Sequence, residues 1–235
     1  MKHTLLRACF GALLAFSVTA CGVDDQTLEA QLEKAQIAID HRDYASAEAI
    51  LEGLCPVLAT CRADILSLLA EAQMGLGRVD ALNLLSLVDT LPATPGTTDV
   101  FDVVDTMFGS DGFTSTNVDD LQSAIDTLSA IPSPTADEQF QLLVAATAHM
   151  VAAVLLATDP DNNGVFDTGG VTAGLTTTVN TDLDTVETNA AAVDAYLGGT
   201  TDITGDLAGL RADIEGASPD GTVSQAELTT FIGSL

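Results

Sequence analysis

The segment TLEAQLEKAQIAID, Thr27 to Asp40, decides the fold: Leu28, Leu32, Ala35 and Ile39 recur every three or four positions and so share one face of an α-helix. The same spacing runs outward through Ala47, Ile50, Leu51 and Leu54, then Ile65, Leu68, Leu69 and Ala72, then Leu82, Leu85 and Val88. Four helices are predicted. His41-Arg42-Asp43 and Gly75-Leu76-Gly77-Arg78 are short connections of the kind that fold neighbouring helices into antiparallel hairpins.

Residues 93–116, rich in Thr, Gly, Pro and Asp, read as a linker, with one short helical candidate from Asp99 to Phe108. Helical spacing resumes from Val118 to Ile131 and breaks at Pro132-Ser133-Pro134. Thr135-Ala136-Asp137-Glu138 is a capping box that opens a long helix to Thr158, apolar nearly all round and therefore expected at the centre of the fold. Gln141, Thr147 and His149 on it argue against a membrane span, and a lone histidine there is expected to be a satisfied core residue. Threonine-rich helices follow near Leu175 to Leu197, Asp206 to Ile214 and Gln225 to Ile232. The expected protein is all-α: hairpins over 21–92, the linker, and a helical region over 117–235.

Hydrophobic residues make up 47% of the chain and mean hydropathy is +0.32, enough apolar material to build a core and too much for an acidic disordered tail. The net charge of −27 makes nucleic acid and anionic headgroups poor partners. It suits divalent cations, basic partners or a saline habitat, as well as plain solubility.

Arg42-Asp43-Tyr44-Ala45-Ser46-Ala47, followed by Leu69-Ala70-Glu71-Ala72 and Gly77-Arg78-Val79-Asp80-Ala81, resembles the inter-helix element of the tetratricopeptide repeat, with Ala47 and Ala81 one family period apart. The resemblance covers about 65 residues and departs from the pattern at Val79, which stands where the family has an aromatic residue. It implies helical hairpins that pack closely over small residues, continuing into an irregular bundle, since two repeats alone leave faces uncovered.

At the start of the chain, Lys2 and Arg7 precede an apolar run from Ala8 to Ala20, and Val18-Thr19-Ala20-Cys21 resembles the lipobox of bacterial lipoproteins. The resemblance implies a leader over residues 1–20, acylation of Cys21, and membrane attachment through that lipid anchor. Gly22, permissive for transfer, implies the outer membrane. Loss of the leader removes two basic residues and no acid, which takes the net charge from −27 to −29. Cys9 then leaves with the leader and Cys21 carries lipid, so Cys55 and Cys61 remain in an oxidising compartment and are expected to pair. Pro56 interrupts the backbone between them, and Thr60 is the expected cap of the next helix.

One constellation names a ligand. Asp159, Asp161, Asn163 and Asp167 stand at positions 1, 3, 5 and 9 of a run with Gly164 at position 6 and the Val165 carbonyl available. This is the order a calcium loop needs. The run resembles thrombospondin type 3 repeats and EF-hand or dockerin-like modules, departing from the EF-hand at Gly170, where a bidentate glutamate is usual. Weak calcium binding is implied, and the same letters also make a metal-free turn. Ser218 to Leu228 matches the back half of an EF-hand, but Gly216 stands where the first aspartate belongs, and Ser224 with Glu227 reads as a capping box. Asp111-Gly112 is a fainter match.

No nucleophile motif, phosphate loop or zinc-binding histidine pair is found in the sequence, so no enzymatic activity is expected. The expected function is a lipid-anchored adaptor or scaffold of the cell envelope that binds an envelope protein or peptide. The alternatives are a calcium-stabilised spacer and, by architecture alone, a transporter-associated accessory lipoprotein.

Overall fold

The computed structural model describes residues 27–79, 113–161, 165–196, 203–216 and 219–235. Regular structure among them is entirely helical: α1 Leu28–Asp40, α2 Tyr44–Leu54, α3 Ala63–Leu76, α4 Ser115–Ser129, α5 Ala136–Thr158, α6 Ala173–Tyr196, α7 Ile203–Glu215 and α8 Gln225–Ile232, with short 3₁₀ turns at Leu58–Thr60 and Thr168–Gly170. The expected fourth helix at Leu82 to Val88, the candidate at Asp99 to Phe108, Asp111-Gly112, Cys21 and the leader lie outside the described residues.

The helix ends follow local chemistry. Thr27 and Asp43 accept N–H bonds from Ala30 and Ser46 and so cap α1 and α2. The α1–α2 turn places Arg42 at φ 60, with the Asp43 N–H bonded to the Ala38 carbonyl. The same turn recurs at the end of α3, where Arg78 has φ 67 and the Val79 N–H bonds the Met74 carbonyl. Its offset from the first is two residues longer than the Ala47-to-Ala81 spacing. Gly75 and Leu76, expected in the connection, belong to α3, and a Cβ on Gly75 would sit 2.4 Å from the Tyr44 ring. The glycine is what lets α2 and α3 meet there.

Two of the expected boundaries move. Thr114, not a residue near Val118, caps α4, and Asn117 closes its capping box while donating to the Leu76 carbonyl at 2.9 Å, which ties the start of α4 to the end of α3. Thr60 does not cap α3: it sits in a 3₁₀ turn with its hydroxyl on the Val57 carbonyl, and α3 begins after Arg62. The Thr135–Glu138 and Ser224–Glu227 capping boxes form as read. The threonines of α6 send their hydroxyls back one turn, as at Thr177, Thr181 and Thr185 onto Ala173, Thr177 and Thr181 carbonyls. Such bonds do not strengthen a helix, so what holds α6 is the burial of its apolar face, Val179, Leu183, Val186 and Val193, in both cores.

α5 and α6 form the most extensive helix pair and belong to two adjoining cores. The larger core joins Leu51, Leu66, Leu69, Leu121 and Leu128 from α2, α3 and α4 to Leu143 and Ala146 of α5 and Val186 and Val193 of α6. The smaller gathers Met150, Leu175, Val179, Leu183, Ile214, Leu228 and Ile232. Alanines at 35, 47, 70, 72, 124, 145, 146, 148, 152 and 190 are buried, so helices approach closely where larger side chains would hold them apart. α5 is central as expected but not enclosed: Phe140 is 45% exposed, and Val144, Val151 and Val154 are half-buried. By length and composition it is apolar enough to cross a membrane, with 44% of its most apolar window buried inside the bundle.

Candidate functional site

Three helices build a cleft on the side of the bundle nearest the disulfide. Leu69 and Gln73 of α3 form its floor, Glu52 of α2 with Cys55, Pro56 and Leu58 form one wall, and Ser123, Asp126 and Thr127 of α4 form the other, around a volume of about 350 Å³. Buried Gln73 accepts from the Thr127 hydroxyl at 2.9 Å, so the floor is a fixed polar pair beside apolar Leu69 and Leu58. Cys55 and Cys61 are bonded, with Cα atoms 5.6 Å apart, and hold the chain between α2 and α3 against the cleft. Closing so small a ring contributes about 2 kcal/mol in the chain-entropy account.

The cleft is electronegative. Beside the cleft, burial pushes the Glu48 carboxyl up, Glu52 one turn away adds to the rise, a bond to Gln73 opposes it, and Asp120 of α4 raises it further. Asp120 is itself raised, first by burial and then by Asp119. Glu52 of α2 and Asp126 of α4 line the two walls, so a cationic side chain in the cleft would meet a carboxylate on either side. A wider groove of about 480 Å³ over α4, α5 and α6 is lined by Leu128, Ile131 and Leu142 opposite Thr181, Thr185 and Thr188. Its threonine hydroxyls donate to helix carbonyls and keep their oxygens as acceptors, and Ser129, Asp184 and Asn189 also line it.

After α5 the chain folds back on itself. Asp159 ends the helix, its N–H bonded to the Leu155 carbonyl and its side chain buried. The Asp167 N–H bonds the Thr158 carbonyl at 2.6 Å, so the two ends of the run meet. Asp161 is exposed, Val165 is 70% exposed, and Asn163 lies outside the described residues. The Asp167 carboxylate accepts from the Gly169 N–H at 2.8 Å. Gly170 shows why this loop departs from the EF-hand: a Cβ there would fall 1.8 Å from the Ala157 carbonyl oxygen, so no side chain fits at that position. Among the described residues no group of three or more His, Cys, Asp or Glu is placed to hold a metal ion.

The other EF-hand-like stretch is built for structure. Gly221, at φ +84, gives its N–H to Glu215 and its carbonyl to Arg211, both on α7. Arg211 is buried and also bonds Glu187 at 2.6 Å and Asp184 at 2.7 Å on α6, so one guanidinium fastens α6, α7 and the loop before α8. Ser224 caps α8, and its bonds to Glu227 hold that carboxyl below the usual range. His149 is satisfied, its Nδ1 lying 2.8 Å from the Asp182 carboxylate in the interior between α5 and α6.

Sequence reasoning did not find Glu52 and Asp126 as a pair. Their separate helical faces were visible, but their convergence depends on α4 packing against α3 from across the linker. Comparison with protein-family models, with curated proteins and with solved structures finds no match to this chain.

Proposed function

We propose that this chain is a lipid-anchored adaptor or scaffold of the cell envelope, tethered through Cys21 at the outer membrane, whose acid-edged cleft holds a basic segment of another envelope protein. The observation that carries the reading is the cleft itself: apolar and amide groups at the floor, acids on both walls, and a volume of about 350 Å³, within the range of ligand sites. A side chain with an aliphatic stem and a cationic head matches both halves of that lining. The reading assigns no enzymatic activity. The anchor is tested by metabolic labelling with a fatty acid: wild-type protein is expected to take up label, and Cys21→Ala is expected to lose it and leave the membrane fraction. Label retained by Cys21→Ala would remove the lipoprotein assignment.

A calcium-stabilised spacer is the second reading, favoured by Asp159, Asp161 and Asp167 falling on one loop whose ends meet. Asp159, Asp161, Asn163, Asp167 and the Val165 carbonyl would hold the ion, which would offset their mutual repulsion. On that reading calcium at a hundredfold excess over its Kd stabilises by about 2.7 kcal/mol. The gain would vanish in Asp159→Ala with Asp161→Ala at fixed ionic strength. A double variant that keeps the whole shift would dismiss the spacer.

A further inference from the structure

Cys21 and Thr27 are six residues apart, so a lipid on Cys21 holds the start of α1 within about 20 Å of the membrane even at full extension of the chain between them. The short turn between Asp40 and Tyr44 runs α1 and α2 antiparallel, which brings the end of α2 and Cys55 back beside the first turn of α1. Arg62, just past Cys61, is raised by its bond to Asp64 and by that charge, and after them by Glu29 in the first turn of α1. Leu28, Leu54, Leu58 and Cys61 pack on the same core. The loop closed by the Cys55–Cys61 bond therefore sits at the end of the bundle from which the anchor leads.

Between its cysteines this loop, Pro56 to Thr60, carries no charge, on a chain whose net charge is −27. Val57 is 57% exposed, Pro56 and Ala59 are exposed, and the disulfide and the 3₁₀ turn at Leu58–Thr60 hold the loop in one shape. The charges that follow it are matched, since Arg62 grips Asp64 through two bonds of 3.0 and 2.6 Å. We propose that this loop rests on the membrane that carries the Cys21 lipid, with Val57 entering the apolar edge of the bilayer. The inference rests on the lipid anchor of the proposed function and does not need the cleft to be filled. The anchor selects the occupant: so short a tether keeps the loop at a high local concentration against lipid, and a contact too small to recruit a free protein then suffices. Cys55, Pro56 and Leu58 also wall the cleft. The cleft therefore opens close to the lipid, and its basic occupant is a segment that runs along the membrane surface.

Photocrosslinking of the full chain in its own membranes tests the contact. A photoreactive residue in place of Val57 is expected to give a phospholipid adduct, read by mass spectrometry, at least tenfold more often than the same residue in place of Val165. Val165 is 70% exposed but follows α5, whose Gln141, near its start, bonds Ser67, near the start of α3, at 3.1 Å; Val165 therefore lies at the other end of a 23-residue helix. With the photoreactive residue at Ala59, adding Val57→Asp is expected to lower the lipid adduct about fivefold, with the helical circular dichroism unchanged because Val57 lies at the surface. Fatty-acid label on the same samples reports the anchor separately. Labelled protein that gives equal lipid adducts from positions 57 and 165, or an adduct indifferent to Val57→Asp, would overturn the membrane contact and leave the anchor standing. So would a protein adduct at position 57 in place of lipid, since a partner protein would then cover the loop. Protein that takes up no label would remove the anchor, and the contact with it.

Discussion

Gly170→Ala is expected to lower the melting temperature by about 6–12 °C. The added methyl would sit 1.8 Å from the Ala157 carbonyl oxygen and 2.6 Å from its carbon, and these neighbours are backbone in the last turn of α5. Backbone cannot turn aside as a side-chain tip can, so either the end of α5 or the 3₁₀ turn at Thr168–Gly170 must move. Moving it disturbs the Asp167 N–H bond to Thr158 and the packing of Phe166 on both cores. A clash of this kind costs about 3 kcal/mol, and each kcal/mol corresponds to about 2–4 °C for a chain of this size. Gly53→Ala is the control: a Cβ there meets nothing within 4 Å on α2, so it is expected to be neutral or slightly stabilising through helix propensity. Thermal melts followed by circular dichroism separate the two. A Gly170→Ala protein that melts with the wild type would show that the loop does not close on α5 in this way.

The second large effect is expected at Asp182. Asp182→Ala leaves His149 buried between α5 and α6 without its partner, a loss of about 1–3 kcal/mol, whereas Asp182→Asn keeps a group able to pair with the ring. Burial pushes the Asp182 carboxyl above its ordinary range by more than the bond to His149 lowers it. The folded state therefore binds this proton more tightly than the unfolded chain. The resulting stabilisation is complete below the ordinary aspartate value of 3.8 and is lost as pH rises through the higher folded value. Denaturant melts of wild type and Asp182→Asn between about pH 3 and pH 7 should show the wild-type advantage shrinking as pH rises; the difference cancels the background of the other acids. A wild-type advantage that grows with pH would contradict this reading of the pair.

The elements legible in the sequence are those whose signal is local. Apolar residues at helical spacing mark α1 to α3, Thr135 with Glu138 and Ser224 with Glu227 mark the starts of α5 and α8, and Pro56 between two cysteines marks a bend that they bridge. Features set by packing were not legible. Threonine propensity made α6 look weak, although its apolar face fills both cores. Gly170 looked like a missing ligand and is a close-packed contact. Arg211 gave no sign of joining α6, α7 and a loop, because its partners stand 24, 27 and 10 residues away. The acid-edged cleft needs α4 laid against α3, and periodicity along one helix does not say which helix it will meet.

The adaptor reading rests on that cleft being occupied in the envelope. Its most direct measurement places a photoreactive residue at Ser123 of the membrane-anchored chain and crosslinks in intact cells. The expected result is one protein adduct of reproducible mass, which disappears when Glu52 and Asp126 are replaced by lysine and weakens at high salt. No adduct, or one indifferent to both the charge reversal and the salt, would contradict it.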